Sequence, residues 1–305
     1  MSKILTIFGA TGIQGGSVVN AVLADKVLSR GFKIRAITRD ASKPQALALK
    51  NRGLDVVVAD LSSPETVTAA VSGSHTVFLV TNFWELMSKE QEIHQGKVVT
   101  DACVIAGVQH LIFSSLINVT TASGGRLTHV RHFDSKAAIE QYVRQSHISA
   151  TFVLAGAYMS NYFDAIRQNN DGSYAMAMPI SGHKAQIPLL DALGDTGKFV
   201  KAAMKNFPRY VGKHILAASE YYTPDRLMSE FSEVIGRDAS FVQVSPEAAK
   251  DLFPAARAEE MVDNLLLLED PGYFAGEPLE ESLALLDERP SSWKAFAVEN
   301  VDKWL

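Results

Sequence analysis

The 305-residue chain predicts an α/β fold: a Rossmann-type doubly wound parallel sheet with a smaller C-terminal α+β lobe. Three observations lead there. Short apolar runs alternate with amphipathic stretches through the first half. These runs lack the strict polar alternation of a half-exposed strand, as expected when both faces are covered. The first run passes directly into a glycine loop, Gly9-Ala10-Thr11-Gly12-Ile13-Gln14-Gly15-Gly16, which opens a helix.

Strands are expected over Lys3–Phe8, Lys33–Ile37, Asp55–Ala59, His75–Val80, Gln109–Ser114 and Thr151–Leu154. Helices are expected over Gln14–Lys26, Lys43–Asn51, Pro64–Val71, Lys89–Ala106 and Arg131–Gln145. Ser63-Pro64 is a cap followed by proline in the first turn, a helix start. Repeated strand–helix–strand units pair in parallel through right-handed crossovers, with helices on both faces. After about residue 155 the rhythm changes. Asn169-Asn170-Asp171-Gly172 is a turn cluster. Thr223-Pro224, Ser245-Pro246 and Ser292 open helices, Met261–Leu268 is an apolar helical stretch, and Trp293–Leu305 reads as a docked amphipathic helix. The expected division is a dinucleotide-binding domain over 1–155 and mainly a smaller lobe over 156–305. Segments around 186–215 return to the Rossmann sheet.

Hydrophobic residues make up 47% of the chain, enough for a large core without staples. A net charge of -5 argues against direct nucleic-acid binding, which favours a basic face. The single cysteine, Cys103, has no intramolecular partner and lies in an apolar helical stretch, so it reads as a core residue in a reducing compartment. No apolar run approaches the ~18 residues of a membrane span. A cytoplasmic or nuclear protein, monomer or homodimer, is expected.

The glycine spacing carries chemistry. Gly9 permits a tight exit from the strand, Gly12 lets a pyrophosphate approach the backbone, and Gly15 lets the helix pack closely on the sheet. The helix start, with Thr11, Ile13 and Gln14, then offers free N–H groups and a positive dipole end to phosphates. The second strand ends Thr38-Arg39-Asp40. Arg39 stands where an NAD-preferring site places an acid, with Lys43 close behind. A guanidinium suits a 2′-phosphate, so NADP(H) is expected, with NAD(H) bound more weakly. Asp60 follows the third strand, where it can accept from an adenine amino group, with Leu61 flanking the ring, or serve the Pro64 helix start. Thr81, Asn82, Phe83 and Ser115 follow the fourth and fifth strands, at the ends where open α/β sheets bind ligands.

The next helix presents His132 and Lys136 four residues apart, on one face. A short-chain dehydrogenase/reductase would carry tyrosine at the position of His132, as a general acid beside the lysine ammonium. Imidazole can also shuttle protons, which makes His132 and Lys136 the candidate catalytic pair, the alternative being a plain exposed helix face. His129 and His132 have metal-pair spacing without a third ligand, and no metal is expected.

Several segments together resemble the NmrA-like family, an atypical branch of the short-chain dehydrogenase/reductases. They are Gly9 through Val18, Ile37-Thr38-Arg39, Val80 through Glu85, Glu90 through Lys97, His132 through Lys136, and Tyr158 through Tyr162. The similarity is greatest to the NADP(H)-sensing members and their fungal relatives. It implies NADP(H) at the glycine loop and Arg39, with Thr81 and Asn82 near the cofactor. It also implies Lys136 near the nicotinamide ribose, and Tyr158 and Asn161 lining the cleft over the nicotinamide. Members without the catalytic tyrosine are redox sensors or transcriptional co-regulators that bind a partner protein according to cofactor state. Isoflavone-reductase-like members, which keep the lysine, instead reduce a small organic substrate.

Overall fold

The computed structural model describes residues 2–305. Thirteen strands follow in chain order: β1 (Lys3–Ile7), β2 (Phe32–Thr38), β3 (Asp55–Val58), β4 (Thr76–Leu79), β5 (His110–Ser115), β6 (Ala150–Ala155), β7 (Ala157–Tyr158), β8 (Ile166–Gln168), β9 (Tyr174–Met178), β10 (Ile187–Leu190), β11 (His214–Ala217), β12 (Glu220–Tyr222) and β13 (Ala239–Gln243). Seven form one sheet in the order β11-β6-β5-β4-β1-β2-β3. All its pairings are parallel. This is a Rossmann-type doubly wound sheet, and strand order reverses between β1 and β4.

Buried residues alternate between the two faces. Val77, Leu79, Leu111, Phe113, Phe152 and Leu154 enter one core, whereas Phe78, Ile112 and Val153 enter the other. This is the period-two geometry of a strand clothed on both sides. Helices Pro64–Val71, Lys89–Ile105 and Arg131–Gln145 contribute to the first core. Helices Ile13–Ala24 and Ala192–Lys205 contribute to the second. Two close helix crossings lock these layers. At Gly197 a Cβ would lie 2.3 Å from the Ser17 carbonyl oxygen, and at Gly96 it would lie 2.5 Å from the Ile139 side chain. Cys103 is buried in the first core, where desolvation pushes its thiol up to about 12.

The second half adds two three-stranded sheets, β12-β10-β7 and β13-β9-β8. Of the stretch expected to return to the main sheet, β10 lies in one of these small sheets, while β11 supplies the edge of the large one. The Asn169–Gly172 turn joins the antiparallel pair β8 and β9, with Gly172 at φ 86. Thr223, Ser245 and Ser292 each cap a helix through the side-chain oxygen. The C-terminal segment docks by its indoles: Trp293 Nε1 donates to Leu227 O at 3.0 Å, and Trp304 Nε1 to Tyr162 O at 3.2 Å. No described helix is long and apolar enough to cross a membrane.

Gly197→Val should destabilise the chain by about 2–3 kcal/mol, because overpacking outweighs the roughly 0.5 kcal/mol of helix propensity gained. Gly31→Ala, where a Cβ meets open space, should stay within about 0.5 kcal/mol of wild type. Urea denaturation of both variants checks this, and equal midpoints would contradict the tight crossing.

Candidate functional site

A cleft of about 630 Å³ opens at the C-terminal ends of the main-sheet strands. That volume suits a cofactor or small ligand. Its floor is the glycine loop. Gly9 takes φ 68, open to glycine at little cost, and its carbonyl accepts from Gly12 N at 2.9 Å. A Cβ at Gly15 would lie 2.2 Å from the Gly9 oxygen, so only glycine lets the helix cross here. Gly12 is the N-cap of helix Ile13–Ala24 and has no side-chain cap. The first turn of that helix therefore reaches the cleft with N–H groups to spare.

Gly9, Thr11, Gly12, Ile13, Gln14, Gly15, Arg39, Lys43, Asp60, Leu61, Thr81, Asn82, Phe83, His132, Lys136, Tyr158 and Asn161 all line this one cleft. Ser115 does not, and that expectation is corrected. Along β5 it points to the same side as Phe113, beneath helix Arg131–Gln145, and donates to Glu140 Oε2 at 2.6 Å. Its neighbour Ser114 lines the cleft instead. The alternation of a strand decides between the two.

At one end, Arg39 Nη1 donates to Glu85 Oε1. Asp40, next in sequence, is folded back. Its Oδ1 accepts from Ser42 N at 2.8 Å and Ser42 Oγ at 2.6 Å, which holds the carboxyl below the usual range. Asp60 Oδ1 accepts from Ser62 N at 2.8 Å, while the cap of the Pro64 helix is Ser63.

At the other end, a buried carboxylate organises the wall. Glu92 Oε1 accepts from Thr81 Oγ1 at 2.6 Å and pairs with Lys136 Nζ at 2.5 Å; Oε2 accepts from Ser135 Oγ. Glu92 is 2% exposed and Lys136 9%. A carboxylate buried this deeply needs such partners, and it neutralises the ammonium beside it. His132 meets a second acid, with Nδ1 2.6 Å from Glu260 Oε1 and the backbone N–H donating to the same oxygen at 2.9 Å. Trp84 lies against the ring at 4.8 Å between centroids. Burial pushes His132 below its ordinary value, only partly offset by the Glu260 hydrogen bond. With Nδ1 facing the Glu260 carboxylate, Nδ1 carries a proton. Tyr158 OH accepts from Gln14 Nε2 at 2.6 Å, and burial raises the phenol above its ordinary value. The phenol thus keeps its proton.

Two buried acceptors on the cleft-lining residues, Gln14 Oε1 and Asn264 Oδ1, have no protein partner. Buried acceptors are rarely left this way, so the cleft suits a ligand bearing N–H or O–H donors. Among the described residues no cluster of three or more His, Cys, Asp or Glu is arranged around a common metal position.

Sequence reasoning missed Glu92, Glu260, Asn264 and Tyr273. Glu92 had a signal. It shares the buried face Glu92–Gly96–Val99–Cys103, spaced as one helical stripe, and a glutamate in an apolar stripe asks for a buried partner. Glu260, Asn264 and Tyr273 come from the distant C-terminal half, and nothing local marks them.

The sheet order, the glycine loop and the cleft define a Rossmann-type α/β protein built to receive a ligand at its topological switch point. The chain belongs to the NmrA-like family, whose model matches residues 1–297. It is 30% identical over 263 residues to the NmrA-like family domain-containing oxidoreductase ptmS of Penicillium ochrochloron, covering 80% of this chain and 76% of that one. It is 29% identical over 274 residues to malD of Malbranchea aurantiaca, a protein of the same description, covering 85% and 81%. Among solved structures it resembles NmrA, a negative transcriptional regulator, in complex with NADP, with a TM-score of 0.83, 23% identity, and 99% and 97% of the two chains covered. The Citrobacter sp. triphenylmethane reductase complexed with NADP(H) aligns with a TM-score of 0.78 at 20% identity, covering 97% and 99%.

Removing the Glu92 carboxylate strands the Lys136 charge. Glu92→Ala should cost about 3–5 kcal/mol, and the Glu92→Ala/Lys136→Met pair should cost clearly less than the sum of its single changes. A double-mutant cycle in chemical denaturation measures this; strict additivity would dissolve the proposed hub.

Proposed function

We propose that the chain is an NADP(H)-binding regulatory protein, whose cofactor state sets its conformation and its affinity for a partner protein. One observation carries the cofactor assignment: a glycine-made helix start and Arg39 share one cleft at the switch point. The helix start suits the diphosphate, and Arg39 with Lys43 suits the 2′-phosphate. Thr11, Gly12, Ile13, Gln14 and Gly15 would then hold the diphosphate; Asp60 and Leu61 the adenine; Thr81, Asn82, Phe83, Lys136, Tyr158 and Asn161 the nicotinamide side. The uncapped helix start at Gly12 and the orphaned Gln14 Oε1 support that fit. The solved NmrA structures with NADP and with NAD support both cofactors, NAD(H) the weaker here because of Arg39. Residues 1–155 would bind the cofactor and residues 156–305 would mainly cover it.

The regulatory reading rests on charge. Lys136 is neutralised by Glu92, and the tyrosine that its ammonium would activate is His132, itself fastened to Glu260. A sensor needs only that the two cofactor forms bind its conformations unequally.

A second reading is NADPH-dependent reduction of a small organic substrate, favoured by the oxidoreductase names of the fungal relatives. When bound, the reduced nicotinamide supplies a hydride. The chain would supply the proton, from the Tyr158 hydroxyl or by way of His132, while Phe83, Trp84, Met261 and Tyr273 exclude water from an apolar pocket.

Arg39→Asp should weaken NADP+ binding at least about tenfold, one charged hydrogen bond's worth, with much less effect on NAD+. Calorimetric titration with both dinucleotides reads this, and an unchanged NADP+ affinity defeats the assignment. The two functional readings separate on turnover. The regulatory protein should show no steady NADPH oxidation across carbonyl, imine and enone substrates; sustained turnover lost in Lys136→Ala would establish the reductase.

A further inference from the structure

Arg39 already holds an anion supplied by the chain itself. The turn Phe83–Leu86 leaves β4 and closes on Met87, whose N–H donates to Phe83 O at 2.7 Å. It carries Glu85 to the cleft mouth, where Oε1 accepts from Arg39 Nη1. The acid adjacent in sequence, Asp40, is committed to Ser42. The carboxylate on the guanidinium thus comes from 46 residues away.

We propose that Glu85 is a specificity-determining residue: its carboxylate competes with the cofactor's 2′-phosphate for Arg39 and so limits the preference for NADP(H) over NAD(H). The inference rests on reading the cleft as the dinucleotide site. A guanidinium presents five N–H donors in forks that suit a phosphate. Glu85 takes one arm. An incoming phosphate must displace that carboxylate or sit beside it against like-charge repulsion. NAD(H) carries a hydroxyl at this position and leaves the pair intact, so the cost falls on NADP(H) alone. The side chains are 61% and 39% exposed, so solvent screens the pair and the effect is a few-fold, not a hundredfold.

The experiment is calorimetric titration of the full chain with NADP+ and NAD+ at low salt. Glu85→Gln should bind NADP+ about fivefold tighter with NAD+ unchanged, a gain that shrinks at high salt. Glu85→Asp, which keeps the charge but shortens the reach, should show a smaller gain of the same sign. Glu233→Gln removes equal charge outside the cleft and should alter neither affinity. An unchanged NADP+ to NAD+ ratio in both Glu85 variants, or equal tightening in Glu233→Gln, overturns the inference while leaving the cofactor site standing. Wild-type protein that binds neither dinucleotide overturns both.

Discussion

The close crossing of the first helix over the Gly9-Ala10 peptide is the constraint on which the site depends. Gly15 sits where any side chain would collide with the Gly9 oxygen. That contact fixes the helix at the switch point, beside β4, with its uncapped first turn facing the cleft. Displacing the helix would move the part of the cleft that the glycine loop forms. The second crossing, at Gly197, presses helix Ala192–Lys205 onto the same helix from outside, so the glycine loop is backed by a packed layer.

Charge on the opposite wall is arranged with equal economy. Glu92 sits on one helix and reaches Ser135 and Lys136 on the next, because Gly96 lets the two helices approach at Ile139. Thr81, leaving β4, joins the same carboxylate. One buried anion thus holds Thr81 and Lys136 on the nicotinamide side of the proposed site, with Ser135 buried behind them. The cost of desolvating it is offset by saturating both oxygens, the condition under which buried ion pairs persist.

Much of this was legible in the sequence. The six strands and five helices expected of the first half are present, because two-sided burial and glycine punctuation leave strong local signals. The strands beyond residue 155 were not: β7 has two residues and β8 and β12 three each, too short to show a period, while β9 alternates in burial but carries apolar residues on both faces, which hides the alternation in the sequence. The cleft was legible where backbone chemistry dictates residue type, as at Gly9, Gly12 and Gly15. It was half-legible where a strand's two faces compete, so that Ser115 was read for Ser114. It was illegible where partners lie far apart in sequence, as with Glu260 beneath His132 or Glu85 on Arg39.

The two histidines beside the cleft have one more consequence. His129 and His132 are three residues apart, and so are their acids, Glu260 and Asp263, on helix Ala258–Leu266. The matched spacing fastens helix Ala258–Leu266 at two points, to the first turn of helix Arg131–Gln145 through His132 and to the segment just before it through His129. Met261 and Asn264, carried between and beyond those fastenings, form part of the ceiling over the cavity. Sliding that ceiling sideways would shear both fastenings together, whereas pivoting it would strain them unequally. The C-terminal half of the chain thus supplies this side of the cavity, far in sequence from the glycine loop that forms the other wall.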